Sequence, residues 1–307
     1  MPTTYQDVSR QTSNVALPTE VSAEIWAAAT ENSAFMSLAR RINIPGTGTT
    51  IQAITGEPTA DWVAETNPKP VSNHTFGKKS VTPYKLAVIE AFSDEFRRDL
   101  DGLYSECVRR LPFALGKKFD ATIMGSSAPG SGFDVLGTGV SSMSIVAGDG
   151  KTVYNRFVDV DAAIGAAGGV MDKIALAPQG KSIVLGATDS AGRPLFTPGV
   201  SSNTVGAILG ADTTVNRGVY VAGSGSADLV GVAGDFSGVF WGSVEDIKMA
   251  VSDQATLDLG GGNAINLFQD NMFAVRFEIE VAFAVMDKNQ LVLLTGNTAT
   301  TTTTTGE

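Results

Sequence analysis

Gly148-Asp149-Gly150-Lys151-Thr152 comes nearest to a functional motif in this 307-residue chain. Glycines followed by lysine and threonine can build a loop whose backbone N–H groups and ammonium cradle phosphate oxygens. That loop needs a further glycine where Ile145 stands and an apolar strand leading in, and neither is present. Phosphate binding is therefore not expected. His74 is the only histidine, so a Ser-His-Asp triad or a multi-histidine metal site would rest on it alone. It stands in a polar stretch and reads as a solvent-facing side chain. Glu278 and Glu280 project from one side of a single strand, about 7 Å apart, a separation that two glycosidase carboxylates can use. Arg276 beside them favours an ion-paired face instead. No G-x-S-x-G elbow occurs. No conventional enzyme activity, no cofactor and no metal is expected.

Composition narrows the class further. Against 22 basic side chains stand 32 acidic ones, a net charge of −10, with a pI near 4.7. A nucleic-acid-gripping surface would carry a basic patch, which this balance opposes. Glycine is abundant (34) and charged residues scarce (18%), as in β-rich chains with many turns and in proteins largely covered by partners. Cys107 is the single cysteine. It cannot form an intrachain disulfide, and its place on an apolar helix face marks a buried core thiol. No apolar run approaches the ~18 residues of a membrane span, and the start lacks the regions of a signal peptide, so a cytosolic site of synthesis is expected.

The length suggests about two domains. Ser93 to Met124 is the organising stretch. Phe96, Leu100, Leu103, Cys107, Leu111, Leu115, Phe119 and Ile123 recur every three to four residues, which lines one helix face. Ser93 suits an N-cap, with Asp94 and Glu95 on the first turn. Such a helix would run roughly 48 Å, longer than a small domain is wide. Pro112 should kink it near Val108. The alternation Phe273, Val275, Phe277, Ile279, Val281, Phe283, Val285 predicts a strand of similar length packed on that helix.

Residues 1–45 read as an arm with one helix near Pro18-Thr19-Glu20, and 46–86 as a long polar hairpin. In the hairpin, Asp61 to Glu65 leads to a Pro68-Lys69-Pro70 tip and Thr75 to Lys79 leads back. Left uncovered, such a hairpin is an aggregation hazard. Gly125 to Gly139 marks a boundary. Residues 134–235 then read as an inserted mixed α/β domain. It carries a helical pattern at Val158–Met171, a strand at Lys181–Leu185 and a strand at Val219–Val221. The first domain, 87–133, resumes at 236–297 with alternating Ile247, Met249 and Val251 before the long strand. The threonine tract 298–307 has no means of packing.

With these elements in order, the chain resembles the major capsid proteins of tailed bacteriophages, the Hong Kong phage-type (Johnson) fold that encapsulins share. The arm Leu17-Pro18-Thr19-Glu20-Val21-Ser22, the hairpin from Trp62-Val63-Ala64-Glu65 to Thr75-Phe76, and the helix start Ala91 to Glu95 carry the likeness. So do Gly234-Asp235-Phe236-Ser237 and Phe268 to Met272 with Arg276 and Glu278. The resemblance implies an α+β capsid fold with an N-arm (1–45), an E-loop (46–86) and a P-domain (87–133 and 236–297). An A-domain (134–235) and a disordered tail (298–307) complete it. It implies self-assembly into hexamers and pentamers around double-stranded DNA, in a virion assembled in the host cytoplasm. It also implies a portal, a decoration protein and, because Met1 leads almost directly into the arm, scaffolding that is separate or unnecessary.

Some members of the family join neighbouring subunits by an isopeptide bond between an E-loop lysine and an asparagine before the long strand, assisted by a glutamate. Lys69, Asn271 and Glu278 stand at the matching positions. An encapsulin compartment is the alternative, disfavoured because Pro2 to Asn14 lacks an amphipathic cargo-binding helix. A secreted hydrolase or adhesin would need a signal peptide or a catalytic set.

Overall fold

The strand β13 (Met272–Val285) is the axis of the molecule. All seven of its alternating apolar residues are buried. The computed structural model describes residues 33–56, 59–63, 69, 71–73, 75–99, 101–188, 193–196, 206–223, 227–245, 247–261 and 263–296. The expected arm helix, the end of the hairpin tip, His74, the side chains of Leu103, Cys107 and Leu111, and the threonine tail lie outside the described residues.

The chain enters through a short helix, α1 (Ala34–Leu38), and β1 (Arg40–Asn43). A hairpin follows, β2 (Thr49–Gly56) paired antiparallel with β3 (Thr75–Val81). Its outgoing strand thus precedes the expected Asp61–Glu65, of which the described residues 61–63 are in no strand. Ile51 and Ile54 fall three apart and so show no strand alternation, which concealed it. Next come β4 (Tyr84–Ser93), α2 (Asp94–Asp99) and α3 (Asp101–Met124). Ser93 caps as expected, its hydroxyl accepting from the Phe96 N–H at 3.1 Å. At 24 residues, α3 is about 36 Å long. It stays helical through Pro112, which is buried within it. Leu115, Phe119 and Ile123 form its buried stripe.

The second half supplies β5 (Ser141–Ser144), α4 (Val153–Ala166), β6 (Lys173–Leu176), α5 (Pro178–Leu185), β7 (Asp212–Val215) and β8 (Asp228–Gly234). Then follow β9 (Val239–Ser243), β10 (Lys248–Ser252), the hairpin β11 (Thr256–Gly260) with β12 (Asn263–Asn266), β13, and β14 (Leu291–Gly296). Three sequence expectations are corrected here. Lys181–Leu185 is the end of a helix, because Pro178 starts α5 at the first-turn position where its missing N–H costs nothing. Val219–Val221 is not a strand: Arg217–Val219 is a 3₁₀ turn that Asn216 caps, and β7 lies just upstream. The helix expected over Val158–Met171 runs Val153–Ala166 and stops before Gly168, whose φ is +79°.

Two five-stranded sheets result. In the first, the order is β1-β9-β13-β10, with β4 also paired to β13. In the second it is β5-β14-β8-β6-β7. The strand β14, grouped with the first domain in the sequence, is hydrogen-bonded into the second sheet between β5 and β8. Its alternation divides the core: Leu291 and Leu293 join the cluster of Phe35, Phe119 and Phe283, while Val292 and Leu294 join Phe157, Val160 and Ile164 of α4. The helix–strand packing expected from the sequence is present, with the Phe119 and Phe283 rings 6.3 Å apart, edge to face.

Candidate functional site

Three polar constructions tie the peripheral segments to this core. The first holds the entry of the chain. Asp120, fully buried on α3, accepts from the Ser33 hydroxyl (2.6 Å), the Ala34 N–H (2.7 Å) and the Phe35 N–H (3.3 Å). The carboxylate thereby satisfies the first two N–H groups of α1, and Ser33 Oγ accepts from the Met36 N–H at 3.1 Å. Burial lifts the Asp120 pKa from 3.8 to about 6, against the pull of its three donors. Nothing in the sequence marks Asp120, since an acid in a helix normally reads as solvent-facing.

The second holds the hairpin. Asp134 receives the Lys79 ammonium of β3 at 2.8 Å and the backbone N–H of Val285 at 2.9 Å, with Lys288 at 3.9 Å. The hairpin base, Val81, packs with Ile44, Ala282 and Ala284. Beyond the paired strands, the Thr59 N–H still donates to Ser72 Oγ at 2.8 Å. Further out, the apolar side chains are uncovered: Trp62 is 105% exposed and Val71 90%.

The third is the outer face of β13. Lys85 on β4 lies 3.7 Å from Glu278 and 3.5 Å from Glu280, and Arg276 Nε lies 3.5 Å from Glu278. The two glutamates are thus an ion-paired face, as the sequence suggested. At the edge, Glu245 and Lys248 pair across one turn at 2.5 Å.

Lys69 is exposed on the hairpin, and Asn271 sits in the left-handed region (φ +55°), where its carbonyl accepts from the Asp94 N–H at 3.2 Å. Seven residues of extended chain separate Asn271 from Glu278, roughly 23 Å. One subunit does not bring those two together. The glycine-lysine-threonine stretch is a turn that enters α4. Lys151 pairs with Asp159 at 2.6 Å and Thr152 caps the helix, so neither is offered to a phosphate. Among the described residues there is no cluster of metal-binding side chains and no helix long and apolar enough to cross a membrane.

The model of the phage capsid family matches residues 13–296. The chain belongs to the phage capsid family. Among curated relatives of this family, it is 32% identical to the probable major capsid protein gp17 of Mycobacterium phage L5, over 92% of this chain and 90% of that one. It is 30% identical to gp17 of Mycobacterium phage D29, over 91% and 89%. Solved structures share the fold. One from Gordonia phage Cozz has a TM-score of 0.70 at 21% identity, covering 86% of each chain. One from Mycobacterium phage Adephagia has 0.69 at 24%, covering 87% of this chain and 91% of that one.

Proposed function

We propose that this chain is the major shell subunit of a phage head, assembling with its own copies into hexamers and pentamers around double-stranded DNA. The family match over residues 13–296 carries this, since it takes in the hairpin, both sheets and the long helix. In the family's terms, 1–45 is the N-arm, 46–86 the E-loop, 87–133 and 236–297 the P-domain with α3 as its spine, and 134–235 the A-domain. The pairing of β14 with β5 and β8 supports moving Leu291–Gly296 to the A-domain. The acidic balance supports a wall that does not grip its DNA. A portal, scaffolding and a decoration protein would complete a head assembled in the host cytoplasm. The encapsulin alternative is not carried forward, because the curated relatives are phage proteins.

Negative-stain microscopy of the purified protein tests the proposal. Closed polyhedra, or hexamers and pentamers, are the expected result. A monodisperse monomer across a broad range of salt and concentration would overturn it.

The same reading includes a covalent weld. A neutral Lys69 attacks the Asn271 carboxamide carbon of a neighbour, its proton passes to a glutamate, and ammonia leaves. Because one strand holds Asn271 and Glu278 far apart, the glutamate must belong to a different subunit from the asparagine, so the bond can form only in an assembled shell.

A further inference from the structure

Between β4, the C-terminal half of α3 and the 129–133 loop lies an open cavity of ≈ 130 Å³. Its floor is apolar: Tyr84, Leu86, Phe119, Phe133 and Val281. An apolar cavity of about that size accepts a benzene-sized group. Two lysines line it. Lys85 is turned to Glu278 and Glu280. Lys118 is exposed and has no ion-pair partner among the described residues. Thr122 stands beside it, its hydroxyl donating to the Lys118 carbonyl at 2.8 Å and leaving the oxygen free to accept.

The complement of this cavity is on the hairpin. Trp62 is fully exposed among the described residues, and the exposed Asp61 precedes it. We propose that Trp62 of a second copy fills the cavity, with Asp61 of that copy pairing with Lys118. The indole is a rigid anchor with one polar edge, suited to a pocket with an apolar floor and a hydroxyl on its wall. Opposite charges at the mouth set its orientation. Phe268, the next most exposed aromatic among the described residues, fits less well. Its backbone is held in a tight turn by the Asn266 side chain, which accepts from the N–H groups of Phe268 and Gln269. Trp62 stands on an irregular stretch beyond paired strands, with reach.

The inference rests on the shell proposal, and the experiment separates the two. Shells of a Cys107→Ala, Lys69→Arg protein carrying Trp62→Cys and Thr122→Cys are confirmed by microscopy, oxidised and run without reductant. The expected result is a ladder of multiples of 31.9 kDa that collapses on reduction and is absent from each single-cysteine protein. An isopeptide ladder would survive reduction, so the two are distinguishable. Intact shells giving monomer alone overturn the inference while leaving the shell proposal standing. The same holds if the ladder appears instead with Phe268→Cys and Thr122→Cys. A charge exchange needs no cysteine. Lys118→Glu should raise the concentration needed for assembly at least tenfold, and adding Asp61→Lys should restore it. Failure of that rescue also overturns the pairing.

Discussion

The Ser33 hydroxyl donates to the Asp120 carboxylate at 2.6 Å across 87 residues of sequence, and with the Ala34 and Phe35 N–H groups it locks the start of α1 to α3. Removing the acceptor strands three donors. Asp120→Ala should therefore cost about 2–4 kcal/mol. Denaturant unfolding of the unassembled subunit measures it, and a loss below 1 kcal/mol would contradict the anchoring role.

The same carboxyl makes stability depend on pH. Its pKa is raised on folding, from 3.8 to about 6. The folded state therefore holds the proton more tightly than the unfolded one, and stability falls as pH rises between those values. At neutral pH the full penalty, about 3 kcal/mol, is present. Below about 6 it is progressively relieved. Between pH 7 and 5 the wild-type subunit should gain stability relative to Asp120→Asn, which does not titrate. Parallel curves for the two proteins would refute the assignment.

Gly218 approaches this carboxyl closely. A Cβ there would sit 2.5 Å from Asp120 Oδ2 and 2.8 Å from its Cβ. Gly218→Ala should cost about 1–3 kcal/mol by overpacking. Combined in a double-mutant cycle with Asp120→Ala, which removes the Oδ2 and Cγ contacts but keeps the Cβ one, the losses should be less than additive while some overpacking persists.

The two faces of β13 differ in tolerance. Val275 is 1% exposed, and Val275→Asp places an unpaired carboxylate in the core, at a cost of several kcal/mol. Glu280→Gln removes half of an exposed ion pair and should cost less than about 1 kcal/mol. Thermal melts of the two variants decide it. A soluble Val275→Asp subunit that still assembles would overturn the orientation of this strand.

The weld gives the sharpest readout. Mature particles boiled in denaturant should run as a ladder of multiples of 31.9 kDa, absent from Lys69→Arg and Asn271→Ala particles. A lone monomer band from wild-type particles would dismiss it.

These contrasts show what the sequence could reveal. The strand β13 was legible because large apolar residues fill one face throughout. From Phe273 on, the other carries only the solvent-reaching Arg276, Glu278 and Glu280 and the small Ala274, Ala282 and Ala284. The α3 stripe was legible for the same reason. By contrast Leu291 to Leu294 is apolar throughout and buried on both faces, so no period shows which sheet it joins. Lys181–Leu185 is equally mute, and only Pro178 betrays the helix. At the candidate site, the ion-paired face of Glu278 and Glu280 was readable from Arg276. Asp120 and Asp134 were not, because their partners lie far off in sequence: Ser33, Lys79 and Val285.

The last two strands are each central to a sheet: β13 lies between β4 and its other partners, and β14 between β5 and β8. The ribosome makes both after nearly everything else, at roughly 5–20 residues per second. Until they emerge, the first sheet lacks the strand that joins β4, β9 and β10, and the second lacks the one that joins β5 to β8, so neither half of the core can close. Closure of both sheets therefore waits for residues 272–296. A prematurely terminated chain cannot offer a finished surface to its neighbours, so the order of the strands itself screens incomplete subunits from a structure that needs every copy to be whole.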